Sequence, residues 1–164
     1  MKSIALIGMP GCGKTTIGKL IAKELGIEFF DMDLYIETTS KTTIKELFSI
    51  GEEYFRDRET EACMALSTLN NVVISTGGGV VKRQENIEIL KKNCTIVFID
   101  RSVEDIGSDI DHESRPLLAD NYRDRLLQLY SERYELYKNS CDFIVKNDSS
   151  IDNVVKKLIS KLDF

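Results

Sequence analysis

The sequence predicts an α/β fold, a three-layer α/β/α sandwich around a five-stranded parallel sheet. Five short runs of the 164-residue chain read as strands: Ile4–Ile7, Glu28–Phe30, Val72–Ile74, Thr95–Ile99 and Phe143–Val145. Their apolarity is continuous rather than alternating, as in strands covered on both faces. Helical periods separate them throughout, the order of a parallel sheet wrapped by helices. A glycine-rich turn between the first strand and the first helix completes the pattern.

That turn, Gly8-Met9-Pro10-Gly11-Cys12-Gly13-Lys14-Thr15, fits G-x-x-x-x-G-K-[ST] at every fixed position. Many backbone N–H groups must hold a polyphosphate at once, and glycines permit the turn and the close approach. Lys14 is placed to reach the β- and γ-phosphates and Thr15 to offer a hydroxyl to Mg²⁺. The amphipathic run Ile17, Leu20, Ile21, Leu25 is the helix whose positive end faces the phosphates. Cys12 inside the turn reads as a small side chain of the motif; a thiol near helix N–H groups is also open to oxidation.

Ligands of such sheets gather beyond the carboxyl ends of the strands. After the second strand comes Asp31-Met32-Asp33. Two residues apart on an extended chain, these carboxylates are expected on one side, roughly 6 to 7 Å apart. One would hold Mg²⁺ and the other accept the proton of an attacking hydroxyl; an acidic turn capping the next helix is the plainer reading. In the following helical stretch, Phe55-Arg56-Asp57-Arg58-Glu59, the three-residue spacing lets Glu59 touch Arg56 and hold it for another anion.

The third strand runs into Gly77-Gly78-Gly79, bare backbone suited to a small ligand or to a flexible turn. After the fourth strand, Gly107–Leu118 is polar, acidic and irregular, a surface loop or a lid. In the helix that follows, Tyr122, Leu126, Leu129, Arg133 and Tyr137 share a stripe. The cation at Arg133 needs a partner there, either a ligand carboxylate or an internal acid, unless it snorkels to the surface.

Composition bounds the remainder. With 42% hydrophobic and 30% charged residues, the chain suits one domain over 1–164 with a single core. A net charge of −5 without a basic stripe argues against nucleic acid and anionic membranes as partners. The scattered Cys12, Cys63, Cys94 and Cys141, with one His112, form neither a zinc pattern nor a disulfide framework. No charged-then-apolar leader and no run approaching a membrane span is present, so a soluble, unprocessed cytoplasmic protein is expected.

Taken together, the motifs resemble those of the shikimate kinases over essentially the whole chain. The resemblance rests on Gly11-Cys12-Gly13-Lys14-Thr15-Thr16, Asp31/Asp33, Gly51-Glu52 with Phe55-Arg56-x-x-Glu59, Gly77-Gly78-Gly79, Arg115-Pro116-Leu117-Leu118 and Arg133-x-x-Leu136-Tyr137, in family order. It implies a P-loop kinase fold of the nucleoside monophosphate kinase type, with substrate-binding helices at about 32–60 and a lid at about 107–119. It also implies transfer of the γ-phosphoryl of ATP to the 3-hydroxyl of shikimate by a monomer with one Mg²⁺.

By this resemblance Gly11, Cys12, Gly13, Lys14, Thr15 and Thr16 bind ATP, and Thr15 and Asp31 hold Mg²⁺, Asp31 through water. Asp33 activates the substrate hydroxyl, Arg56 and Arg133 clamp the shikimate carboxylate, and Gly77, Gly78 and Gly79 line its ring. Arg115 swings in with the lid to stabilise transferred charge. Many members carry an arginine several residues before the R-P-L-L motif that packs on the adenine. Here the segment Gly107–Ser114 has none, which shifts adenine contacts towards the loop near Lys146-Asn147-Asp148.

Two other classes share parts of this pattern. A gluconate-type or nucleoside monophosphate kinase shares the phosphate turn, but two arginines suited to a carboxylate disfavour a nucleotide acceptor. A GTPase-type switch requires N-K-x-D, and Lys146-Asn147-Asp148 has the order wrong.

Overall fold

The computed structural model of the chain describes residues 1–109 and 116–163, without the side chains of 116–120. The elements run β1 (Ser3–Ile7), α1 (Lys14–Leu25), β2 (Glu28–Asp31), α2 (Met32–Ser40), α3 (Ile44–Ile50), α4 (Glu52–Leu66) and β3 (Val72–Ser75). A single 3-10 turn at Val80–Lys82 leads to α5 (Gln84–Lys91), β4 (Cys94–Asp100), α6 (Val103–Ser108), α7 (Pro116–Ser140), β5 (Phe143–Lys146) and α8 (Ile151–Ile159). All five expected strands form, each a residue or two longer than its apolar run.

Every pairing is parallel and the strand order is β2-β3-β1-β4-β5. Ala5 of β1 sits opposite Ile74 of β3 and Ile96 of β4. From β1 the chain crosses to the edge at β2, returns to fill the position between them with β3, and then builds outward on the other side through β4 and β5. The resulting crevice lies at the carboxyl ends of the strands, where the order reverses.

All residues of β1 and β3 are buried, as continuous apolarity requires. The edge strands β2 and β5 are only partly covered, since each has one strand neighbour and less helix above it. Helices α1, α5, α7 and α8 pack on the sheet, and Phe98 of β4 stacks on Tyr137 of α7 at 5.1 Å between ring centroids. Among the described residues no helix is long and apolar enough to cross a membrane.

Two local expectations are corrected or bounded. Asp31 and Asp33 are not both on extended chain: α2 begins at Met32, so Asp33 stands in its first turn. The reason is a cap, because Asp31 Oδ1 accepts a hydrogen bond from the Leu34 N–H at 3.1 Å and ends the strand. The ends of the range 107–119 are helical, in α6 and α7, while residues 110–115, Arg115 among them, lie outside the described residues.

Candidate active site

Residues 8–13 join β1 to α1 as a tight loop. Gly11 and Gly13 take φ values of 79° and 100°, a region that side-chain-bearing residues rarely enter. Gly13 is the N-cap of α1 and carries no capping side chain, so the first amides of the helix face the crevice unblocked. Lys14 is buried against this loop. Its Nζ donates to Gly8 O at 2.8 Å and Met9 O at 3.0 Å, and lies 3.6 Å from Cys12 Sγ.

The loop is tied down from two strand ends. Asn147 Nδ2, after β5, donates to Cys12 O at 2.9 Å, and Arg101 Nη1, after β4, donates to Gly11 O at 3.1 Å. Cys12 is fully buried and lies where a Cβ at Gly8 would come within 2.8 Å of its sulfur, which fits the small-side-chain reading. All four cysteines are free thiols.

A cleft of about 720 Å³ runs along the loop and holds Lys14, Thr15, Thr16, Asp31 and Asp33 in its wall. Thr15 Oγ1 donates to Asp31 Oδ2 at 3.3 Å and lies 3.4 Å from Ser75 Oγ at the end of β3. Asp31 thus caps α2 with one oxygen and meets Thr15 with the other. This set of hard oxygen donors fits Mg²⁺, which is typically held by one or two protein groups together with phosphate oxygens and water. Among the described residues no group of three or more His, Cys, Asp or Glu comes together.

Asp33 lies exposed in the wall of the cleft, with protein packed behind it. That surrounding protein, then the Asp31 carboxylate, raises its pKa above the ordinary carboxylate value, against the pull of Lys14 and Arg56. Such a group keeps more basic character than a free aspartate.

The glycine run forms the floor between Asp33 and α4. A Cβ on Gly77 would lie 2.9 Å from Glu59 Oε2 and 3.2 Å from Asp33 Oδ1, and one on Gly78 would meet Pro10 Cδ at 2.8 Å. The close approaches at this run are made by the protein's own side chains, Glu59, Asp33, Pro10 and Arg56. Arg56 is buried; its Nη1 donates to Glu59 Oε1 at 2.8 Å, the contact expected from their spacing, and its Nη2 reaches Glu52 Oε1 at 3.4 Å. Phe48 and Phe55 lie 5.7 and 5.1 Å from its guanidinium carbon.

Arg133 is half-buried on α7, between buried Leu126 and Tyr137. It pulls down the pKa of the Tyr137 hydroxyl, which burial pushes up to about 12 and which donates to Gly78 O. It also bears electrostatically on Glu59, so α4, α7 and the glycine run converge. The glycine-rich loop, Asp31 and Asp33 share the wall of one cleft, while Arg56 acts electrostatically on Asp33, and Arg56 and Arg133 on Glu59, behind it.

The family model for shikimate kinase matches residues 10–163. The chain belongs to the shikimate kinase family. A shikimate kinase from Clostridium botulinum (strain Alaska E43 / Type E3) is 56% identical over 155 residues, covering 94% of this chain and 93% of that one. The solved shikimate kinase from Acinetobacter baumannii in complex with shikimate superposes with a TM-score of 0.88 at 31% identity, over 99% of this chain and 96% of the other. A gluconokinase from Sinorhizobium meliloti shares the fold, with a TM-score of 0.67 at 15% identity over 97% and 90% of the two chains.

Several features of the site escaped the reading of the sequence. Arg101, Asp109, Ser149 and Ile151 line the far end of the cleft, and Ser75 and Thr76 its middle. Arg101 follows a strand directly, so the strand-end rule that singled out Asp31 and Gly77 also reached it. Lys82 bonds Glu52 across thirty positions, a pairing that no local spacing announces.

Proposed function

We propose that this crevice carries out the shikimate kinase reaction with the residues described above. ATP donates its γ-phosphoryl to the 3-hydroxyl of shikimate, a step towards aromatic amino acids. The bond from the γ-phosphorus to the β,γ-bridging oxygen breaks, a bond to the shikimate oxygen forms, and the hydroxyl proton passes to Asp33. The observation that carries this assignment is the position of Asp33, with Lys14 acting on it from the phosphate loop and Arg56 from α4.

Gly11, Cys12, Gly13 and Thr16 supply the loop for the phosphates, and Lys14 exchanges its hold on Gly8 and Met9 carbonyls for phosphate oxygens. Thr15 and Asp31 would hold Mg²⁺, which neutralises phosphate charge when bound. Arg56, kept in place by Glu59, clamps the shikimate carboxylate together with Arg133, while Gly77, Gly78 and Gly79 let the ring lie against backbone. Phosphoryl transfer depends on such positioning and charge compensation more than on covalent chemistry. Arg115 and the segment at 107–119 act as the closing lid, excluding water that would otherwise take the phosphoryl group.

The protein is further proposed to act as a cytoplasmic monomer, a single domain over 1–164 without nucleic-acid or membrane partners. A coupled assay of ADP formation with shikimate, gluconate and nucleoside monophosphates tests the central assignment. Turnover confined to shikimate is expected; turnover confined to gluconate would overturn it.

A further inference from the structure

The 3-10 turn after the glycine run sends two cations back to α4. The Lys82 N–H donates to Gly79 O at 3.0 Å, which fixes Lys82 relative to the glycine that lies against Arg56. Lys82 Nζ bonds Glu52 Oε1, the same oxygen that Arg56 Nη2 reaches at 3.4 Å. Glu52 is thus shared between a partly exposed lysine and the buried arginine one helical turn along.

The two cations do not hold it equally. The Glu52 carboxyl is kept below the ordinary carboxylate range first by the hydrogen bond and charge of Lys82, and Arg56 contributes less. Arg56 keeps donors unused, since Nη2 makes only the long contact to Glu52 and Nε makes none among the described residues. On its other side Glu59 holds it at 2.8 Å. Two cations therefore face two carboxyl groups, and the charges match only because Lys82 is present. Nor is Lys82 needed to fasten α4 to the turn. Arg83 does that beside it, donating to Glu53 Oε2 at 2.8 Å, Asp57 Oδ1 at 2.9 Å and Thr60 Oγ1 at 3.3 Å.

We propose that Lys82 is a positioning residue for the carboxylate of shikimate: it occupies Glu52, so that Arg56 keeps its charge and donors for the substrate. This rests on the reading of Arg56 as the clamp of that carboxylate. Without Lys82, Glu52 turns wholly to Arg56 and the charge of the cluster shifts by one towards negative. An incoming carboxylate then meets a competitor already seated on its arginine.

Steady-state kinetics of the wild type, K82M, E52Q, K82M/E52Q, K82R and R56K, with shikimate and ATP varied in turn, test the role. K82M is expected to raise the KM for shikimate roughly three- to fivefold, with kcat and the KM for ATP unchanged. Because the pair is partly exposed, the rise should shrink at high salt. E52Q, which removes the competitor, keeps the wild-type KM or lowers it, and it tests the proposal without touching Lys82. K82M/E52Q returns the KM for shikimate to the wild-type value, and K82R retains it. If E52Q and the double variant raise that KM as much as K82M does, the bridge is a strut between α4 and the turn and the proposal is overturned. An unchanged KM in K82M, or an equal rise for ATP, overturns it too. R56K separates the two levels: it raises the KM for shikimate more than K82M does, and if it leaves that KM unchanged, the clamp reading itself fails.

Discussion

Gly79 and Arg56 are in contact so close that a Cβ on Gly79 would sit 2.5 Å from Arg56 Nη2 and 2.6 Å from its Cζ. The glycine is needed for space and not for conformation, since its φ of −98° suits any residue. Arg56 has little room to yield, with Glu59 at 2.8 Å and two phenylalanine rings beside it. G79A is therefore expected to displace the guanidinium and raise the KM for shikimate at least about tenfold, with ATP binding nearly unchanged. Steady-state kinetics with each substrate varied in turn will show it; a proportionate rise in the KM for ATP would mean a general collapse of the loop.

The partner on the other side of Arg56 makes a pH-dependent prediction. Glu59 has no exposed surface, and its Oε2 has no hydrogen-bond partner among the described residues. Burial raises its pKa, and Arg56 opposes that rise. In R56A the opposition is gone and the carboxyl is left buried without its cation, a loss of about 3–5 kcal/mol in comparable pairs. A carboxyl with a raised folded-state pKa contributes stability at low pH, and that contribution is lost as pH rises through the folded value. The Tm deficit of R56A should thus be larger at pH 8 than at pH 5, and R56A/E59Q should recover part of it. A deficit independent of pH would show that Glu59 stays ionised throughout.

Asp33 combines poor stability with good chemistry. Its pKa is raised by the surrounding protein and by Asp31, so the ionised form demanded of a base is the form the fold disfavours. D33N should lower kcat by about 10²-fold or more while leaving ATP binding largely intact. It should also raise the Tm at neutral pH, and that gain should vanish at acid pH, where the wild-type carboxyl is itself protonated. Near-normal turnover in D33N would remove Asp33 from the reaction.

What the chain disclosed in advance follows from the range of the interactions involved. The strands were legible because β1 and β3 are buried on both faces, and Arg56 with Glu59 because three positions on a helix bring side chains together. Asp31 and Asp33 were located but misplaced on the backbone, since D-x-D is written identically for an extended run and for a cap entering a helix. At the far end of the cleft the strand ends were legible but the contacts between them were not. Arg101 meets Gly11 across ninety positions and Asn147 meets Cys12 across 135, and only the sheet order brings them side by side.

Asp31 allows its two duties to be separated by one atom. Its Oδ1 caps α2 through the Leu34 N–H, and its Oδ2 accepts from Thr15 in the place proposed for Mg²⁺. Asparagine caps a helix about as well as aspartate, but it carries no charge for a cation. D31N is therefore expected to keep the wild-type Tm and to require several-fold more Mg²⁺ for half-maximal activity. D31A loses the cap as well, about 1 kcal/mol, which corresponds to a Tm lower by about 2 to 4 °C for a chain of this size. Thermal scans and Mg²⁺ titrations of both variants decide the matter. If D31N lost Tm like D31A but kept its Mg²⁺ dependence, Asp31 would be a capping residue alone, and the cation would be held by Thr15 with other groups of the cleft.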